Sequence, residues 1–428
     1  MKRGLRYSVP TALVFVASVL AGDWPGFRGP RGTGISDETN LPVTWSDTEN
    51  LRWKVALPGP GSSSPIVTGK RVFVTCYSGY GLDRRSPGSP NDLKRHLLCI
   101  SAEDGEVLWE QPIPVIAPED PYRGYIREHG YASSTPVTDG QRVYCYFGKT
   151  GVLAFDLEGE RLWQVGVGTQ SSNRRWGSAS SPILYDDLVI INASEEGRAL
   201  IALNKVTGRE AWRVDADKME LSYSTPVIVN LESGRDELVI VVPFEVWAFT
   251  PTTGDLLWYA HMNLGGNVVP TPAVAEDVLV AFGGFPSTEA VAIRAGGKDN
   301  VTESHIVWTG RNASYVPSPL VHDGHLYWVS DRGIAFCAEP STGKVLYQEK
   351  LPAAGSKPFY ASIVCADGRL YAVSRTSGTF VLAARPQFEQ LAHNTLGGDD
   401  SDFNATPAIS DGQIFLRSNS HLYCIAAR

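Results

Sequence analysis

Short hydrophobic runs rich in Val, Ile, Leu and aromatic residues recur along the chain, separated by turns carrying Gly, Asp, Asn or Pro. They have the length and alternation of strands rather than helices. The stretch Ser180–Trp212 sets the pattern. Ser181-Pro182 precedes Ile183, Leu188-Val189-Ile190-Ile191 is a second run, Ala199–Leu203 a third, and Thr207-Gly208 turns into a fourth run ending at Trp212. Four short antiparallel strands, A to D, are predicted for it.

The pattern repeats. Ser/Thr-Pro steps fall at Ser64-Pro65, Thr135-Pro136, Ser181-Pro182, Thr225-Pro226, Thr271-Pro272, Ser318-Pro319 and Thr406-Pro407, with Ser362-Ile363 keeping the place without its proline. From the second step onward the spacing is 44 to 47 residues, whereas the first interval is stretched by insertions. A period in the mid-forties with four strands per unit predicts a propeller blade. Near the end of each unit a glycine is followed four residues on by a tryptophan, at Gly105/Trp109, Gly159/Trp163, Gly208/Trp212 and Gly254/Trp258. Tyr347 follows Gly343, an insertion separates Gly297 from Trp308, and the seventh unit has no tryptophan. The glycine suits a tight turn and the indole a buried contact with the neighbouring blade.

The eighth unit stops after its third run, Leu422–Ile425, and one strand, Leu51–Leu57 with Trp53, stands alone before the first unit. Together they predict an all-β, eight-bladed β-propeller of four-stranded antiparallel blades, its ring closed by an N-terminal strand. The corresponding division is a signal peptide at 1–22, a Gly/Pro-rich arm at 23–44 and one propeller domain at 45–428. Lys2, Arg3 and Arg6 ahead of the apolar Val9–Leu20 predict export, with cleavage near Ala21 or Gly22 and no transmembrane helix afterwards. A periplasmic or extracellular place follows.

Net charge is −8 with basic residues dispersed, which gives nucleic acid and anionic lipid no general attraction. Of six cysteines, Cys99, Cys337 and Cys424 share the repeat position held elsewhere by Ala154, Ala202 and Ala248, as small core fillers do. Cys76 and Cys99 flank a long loop and form a candidate disulfide. Metal-ligand motifs of the CxxC and HExxH kind are absent, and His96, His129 and His261 lack triad spacing. No catalytic residue and no metal ligand is therefore assigned. Asp399-Asp400-Ser401-Asp402 offers clustered oxygens without the spacing of a helix–loop–helix calcium site, and reads as a solvated loop.

The units resemble the repeats of the pyrroloquinoline-quinone-like (PQQ-like) propellers, on Leu98–Trp109 and Ala154–Trp163 in particular. That resemblance implies either a quinoprotein dehydrogenase or a non-catalytic relative of the outer-membrane-assembly type. Catalytic members carry a vicinal disulfide and, when haem-bearing, CxxCH; this chain has neither. The resemblance thus points to a binding or assembly scaffold for a protein or peptide of the cell envelope, working as a monomeric ring. A minimal quinoprotein, with PQQ and calcium near Trp176, Arg174 and Arg175 and Asp402 as base, is one alternative. A carbohydrate-binding propeller is another.

In an up-and-down blade the B–C loop and the D-to-A connection lie on one face. Both insertions of the first unit, Tyr77–His96 and Pro112–Tyr131, fall there, with Arg84, Arg85, Lys94, Arg95, Arg123 and Arg127 interleaved with acids into a mixed rim. The same face collects the residues just before each Ser/Thr-Pro step: Tyr131, Arg174, Arg175, Trp176, Tyr223, Tyr315, Lys357, Tyr360, Asp402 and Phe403. Aromatic rings with cations around a central opening are candidates for a planar, anionic or peptide ligand. Alternatively, the rings plug the channel mouth. The repeat tryptophans Trp53, Trp109, Trp163, Trp212, Trp258 and Trp308 are assigned to structure.

Overall fold

A computed structural model describes residues 22–427. The expected signal segment lies outside the described residues, apart from Gly22. Eight sheets form the ring, in chain order from Ile66 to Ala426. Blade 1 runs from Ile66–Thr68 to Val107–Pro114, blade 4 from Val227–Asn230 to Leu256–His261, and blade 7 from Val364–Ala366 to Gln390–Asn394. Blade 8 takes three strands from Ala408–Ser410, Gln413–Arg417 and His421–Ala426, and its fourth is Leu51–Ala56, antiparallel to the last of these with Trp53 opposite Cys424. The ring therefore closes as the orphan strand predicted. No helix among the described residues is long and apolar enough to cross a membrane.

The strands form because inward residues alternate and pack between blades, where Val, Ile and Ala fill a thin, flat seam. Five of the eight seams are fastened by the repeat tryptophan. The Trp212 ring covers Gly254 of the next blade, where an added Cβ would stand 2.7 Å from the indole, and its Nε1 donates to Pro251 O at 3.0 Å. Trp53, Trp109, Trp163 and Trp308 make the same clasp, over Gly105, Gly159, Gly208 and Gly343. These glycines also adopt positive φ, so both the space and the backbone exclude a side chain. The clasp of Trp53 extends the rule across the closing seam.

Three seams depart from it; between blades 6 and 7 the ring is Tyr347, packed on Phe388 at 5.6 Å. Trp258 donates instead to Glu237 of its own blade, at 2.8 Å, because the insertion of blade 5 lays Asp299–Asn300 as a fifth, parallel strand beside Trp258. At blade 7, which lacks the tryptophan, the segment just after the arm supplies cover: Trp45 stacks on Tyr371 at 6.3 Å and its amide donates to Asn394 Oδ1.

The arm has a firm course, with one 3-10 turn at Pro30–Gly32 and isolated bridges at Trp24 and Ile35. Trp24 is fully buried and bridges Val67, and Pro25 O accepts from Thr138 of blade 2. Arg28 reaches Pro319 O of blade 6, and Gly34 and Ser36 bond Cys365 of blade 7. The arm thus crosses the axis on the face of the A–B and C–D turns.

The candidate disulfide is not formed. Cys76 pairs with His96 and Cys99 with Phe73, three positions apart along the ladder, so their side chains enter opposite cores. All six cysteines are free and buried.

Candidate functional site

The Ser/Thr-Pro steps line the axis. The amide of Ser64 donates to Thr135 Oγ1 (2.9 Å), Thr135 to Ser181 Oγ (3.0 Å) and Ser181 to Thr225 Oγ1 (3.1 Å). The other half of the ring repeats this through Thr271, Ser318, Ser362 and Thr406. All eight hydroxyl residues line an axial cavity of ≈ 160 Å³, with Phe27 of the arm among its walls. The proline that follows seven of the eight hydroxyls (Ile363 follows Ser362) has no N–H of its own and fixes the turn into strand A. Sequence inspection registered these steps as markers of period and missed that they form a crown.

Above the cavity, on the B–C loop face, lies an open cleft of ≈ 750 Å³. Tyr125, Glu128, Trp176 and Tyr360 line both spaces and so form the partition between them. The partition is braced from both sides. Tyr125 sits edge-on to Trp176 at 4.6 Å and its hydroxyl accepts from Lys357 Nζ at 3.0 Å. Glu128 is held by Arg84 (3.1 Å) and Arg375 (2.9 Å), and Arg375 also grips Asp402 (2.6 Å) while lying 4.3 Å over the Tyr360 ring. Burial works against the charge of Arg375, but Asp402, Tyr360 and Glu128 outweigh it and hold the guanidinium protonated. Lys357 lies 4.7 Å over Tyr315 and has no carboxylate partner among the described residues.

His129 stands beneath the partition. Its Nε2 faces the Trp176 carbonyl at 2.9 Å, which can only accept, so the proton sits on Nε2 and Nδ1 accepts from Ser133 Oγ. Burial lowers its pKa to about 4, so the ring is neutral at physiological pH. Two further buried carboxyls lie in the B–C loop of blade 3, and Glu196 supports the loop carrying Trp176. Glu196 accepts from Ser178 and Tyr146, and Glu195 accepts from the Leu221 amide, with burial raising Glu195 to about 7.

The ten residues singled out in the sequence divide. Trp176, Lys357, Tyr360 and Asp402 line the cleft, while Tyr223 and Tyr315 line the cavity below it. Arg174 is exposed and stacks on Trp176 at 5.6 Å, and Arg175 is exposed beside it with a positive φ of 54°. Tyr131 is elsewhere: its hydroxyl donates to Asp120 O within a cluster of Tyr77, Tyr80 and Tyr122. Phe403 packs on Tyr423 at 5.9 Å, away from the axis. The two insertions of blade 1 do lie together, joined by Arg84–Glu128 and Tyr80–Tyr122. Arg95, however, is not a rim residue: it is buried on Glu119 at 2.7 Å. Asp399 is likewise saturated, accepting from Ser401, Ser418 and Tyr423.

The residues around the axis do not fit a quinone tricarboxylate with its calcium. No lysine or arginine lines the cavity, and the cleft sets only one unpaired cation among the described residues, Lys357, against the ligand's three carboxylates, since its two arginines are engaged by Glu128 and Asp402. Among the described residues no group of three His, Cys, Asp or Glu is placed to hold a metal ion.

A family model described as "Outer membrane protein assembly factor BamB" matches residues 91–198 and 173–349. A curated protein of that name from Nitrosomonas eutropha is 27% identical over 227 residues, 44% of this chain and 54% of that protein. The chain thus spans about half the length of the curated relative it matches. In structure, BamB from Moraxella catarrhalis superimposes with a TM-score of 0.59 at 11% identity, over 88% of this chain and 97% of that one. Quinohemoprotein alcohol dehydrogenase from Comamonas testosteroni gives 0.67 at 10% identity, over 96% and 82%. At such identities both show the fold alone.

Proposed function

Because the chain belongs to the propeller family whose model is described as outer membrane protein assembly factor BamB, we propose that it is an exported, non-catalytic binding scaffold that docks a protein partner of the cell envelope. Residues 45–428 serve as one single-chain ring, and the cleft on the loop face is the docking surface. The observation that carries this reading is the cleft itself. Its aromatic rings and its one unpaired cation, Lys357, stand on braced, ion-paired supports, so little order has to be gained on binding. Phe285 (48% exposed) at a neighbouring loop tip lies 5.8 Å from Tyr315 and extends the aromatic surface outward.

Affinity capture from the native envelope with wild type and with Lys357→Glu and Trp176→Ala tests this. The reading expects one protein recovered with wild type and lost with both variants, while their unfolding midpoints stay near wild type. Equal recovery by all three would refute the cleft. Calcium-dependent binding of PQQ with dye reduction would refute the non-catalytic assignment.

A further inference from the structure

The axial cavity has a chemistry of its own, independent of what docks in the cleft. Six of the eight crown hydroxyls accept an amide proton from the preceding blade, which fixes each oxygen in place. None of those six has a protein acceptor for its own proton among the described residues, so the O–H groups are free to donate to whatever occupies the axis. Charge then narrows the occupant. The lining holds no lysine or arginine, its one carboxylate, Glu128, is already neutralised by Arg84 and Arg375, and His129 is neutral. An anion finds no counter-charge here, and neither does a cation.

Size narrows it again. At ~30 Å³ per water in the liquid, ≈ 160 Å³ holds about five waters, on the order of the bulk of one hexose ring. The walls supply Trp176, Tyr223 and Tyr315 as ring faces or edges and Asn267 as a side-chain amide. Rings beside fixed hydroxyls suit a ligand with apolar C–H faces and a polar girdle. Since Tyr125, Trp176 and Tyr360 border both spaces, the cavity adjoins the cleft.

We propose that the axial cavity binds a small neutral polyol of monosaccharide size, held by the hydroxyl crown under the Trp176 partition. Ser64 and Thr271 provide the test, because neither hydroxyl accepts a crown amide and each is removable without breaking a blade-to-blade link. Saturation-transfer NMR and titration calorimetry on the whole described chain would use glucose, galactose, N-acetylglucosamine and myo-inositol as probes, with glucuronate and sulfate as charged controls. At least one neutral probe should bind, at least tenfold more tightly than glucuronate. The double variant Ser64→Ala, Thr271→Val should keep the wild-type melting midpoint and lose at least tenfold in affinity. Ser181→Thr, which keeps its hydroxyl but adds a methyl to the crown, should also weaken binding. Absence of binding by all four neutral probes, tighter binding of a charged control, or unchanged affinity in the variants would each overturn the proposal.

Discussion

The two faces of the disc are built on opposite principles. On the turn face the same contact recurs from seam to seam, an indole on a glycine with Nε1 on the next blade's carbonyl. On the loop face, above the hydroxyl crown, no contact recurs. Tyr125 comes from an insertion of blade 1, Trp176 from the approach to blade 3, Lys357 from the approach to blade 7, and Arg375 from within blade 7. Repetition of a contact marks what every blade needs in order to exist. A unique cluster assembled from distant loops marks what only this chain needs, because the ring would close without it.

The comparison breaks first at the closing seam. Removing residues 51–57 takes the fourth strand from blade 8 and the clasp of Trp53 from blade 1. The cooperative unfolding transition should be lost, as followed by circular dichroism during urea titration. A retained single transition would mean that ring closure is not needed for stability.

Single clasps come next. Trp212→Ala should cost ~3–5 kcal/mol in urea unfolding, by loss of a buried indole and its hydrogen bond, whereas Trp176→Ala, half-buried and outside any seam, should cost about 1 kcal/mol or less. Equal costs would erase the distinction between the faces.

The irregular seam sharpens it. Glu237 is fully buried and accepts from Trp258, Gly296 and Arg235, replacing the glycine clasp by a carboxylate. Glu237→Gln leaves these donors in poorer company and should cost about 1–3 kcal/mol, with no effect on any ligand of the loop face.

The pH dependence of stability reads the comparison from the loop face. Burial raises Glu195 from the usual 4.5 to about 7, and one of its oxygens has no hydrogen-bond partner. Between those values the folded chain keeps a proton that the unfolded chain has released. The stability from this proton is full below pH 4.5 and is lost as pH rises through 7. Glu195→Gln should therefore exceed wild type above pH 7 by on the order of 1–3 kcal/mol and converge with it towards pH 5. His129 acts in the opposite direction: its neutral form contributes above pH 6.5, and the contribution is lost as pH falls towards 4. Thermal melts of both proteins across this range read the two effects.

The fold was legible because its determinants are local and periodic. Gly208 and Trp212 stand four residues apart in every good copy, and the missing fourth strand of blade 8 had a counterpart in Leu51–Ala56. What remained hidden was the partner of each contact. Trp212 clasps Gly254, not Gly208, a pairing one whole blade away that no local pattern contains. The candidate site was half legible for the same reason. Position before a Ser/Thr-Pro step brought Trp176, Lys357 and Tyr360 together, since topology gathers those segments at the axis. It misplaced Tyr131 and Phe403, whose side chains turn into the outer packing of their own blades. Tyr125, Glu128 and Arg375 went unnoticed because they lie in an insertion and a B–C loop, where no repeat sets a register. The Cys76–Cys99 disulfide failed on strand parity, which becomes readable once the ladder register is known.

The central claim is that recognition belongs to the loop face. The most direct measurement places a photo-crosslinking residue in the native host at Ser356, on the rim of the cleft, and in a second strain at Glu158, exposed on the turn face. The account predicts a discrete protein adduct from position 356 that disappears with Lys357→Glu, and none from position 158. The same adduct from position 158, or adducts from position 356 that survive Lys357→Glu unchanged, would contradict it.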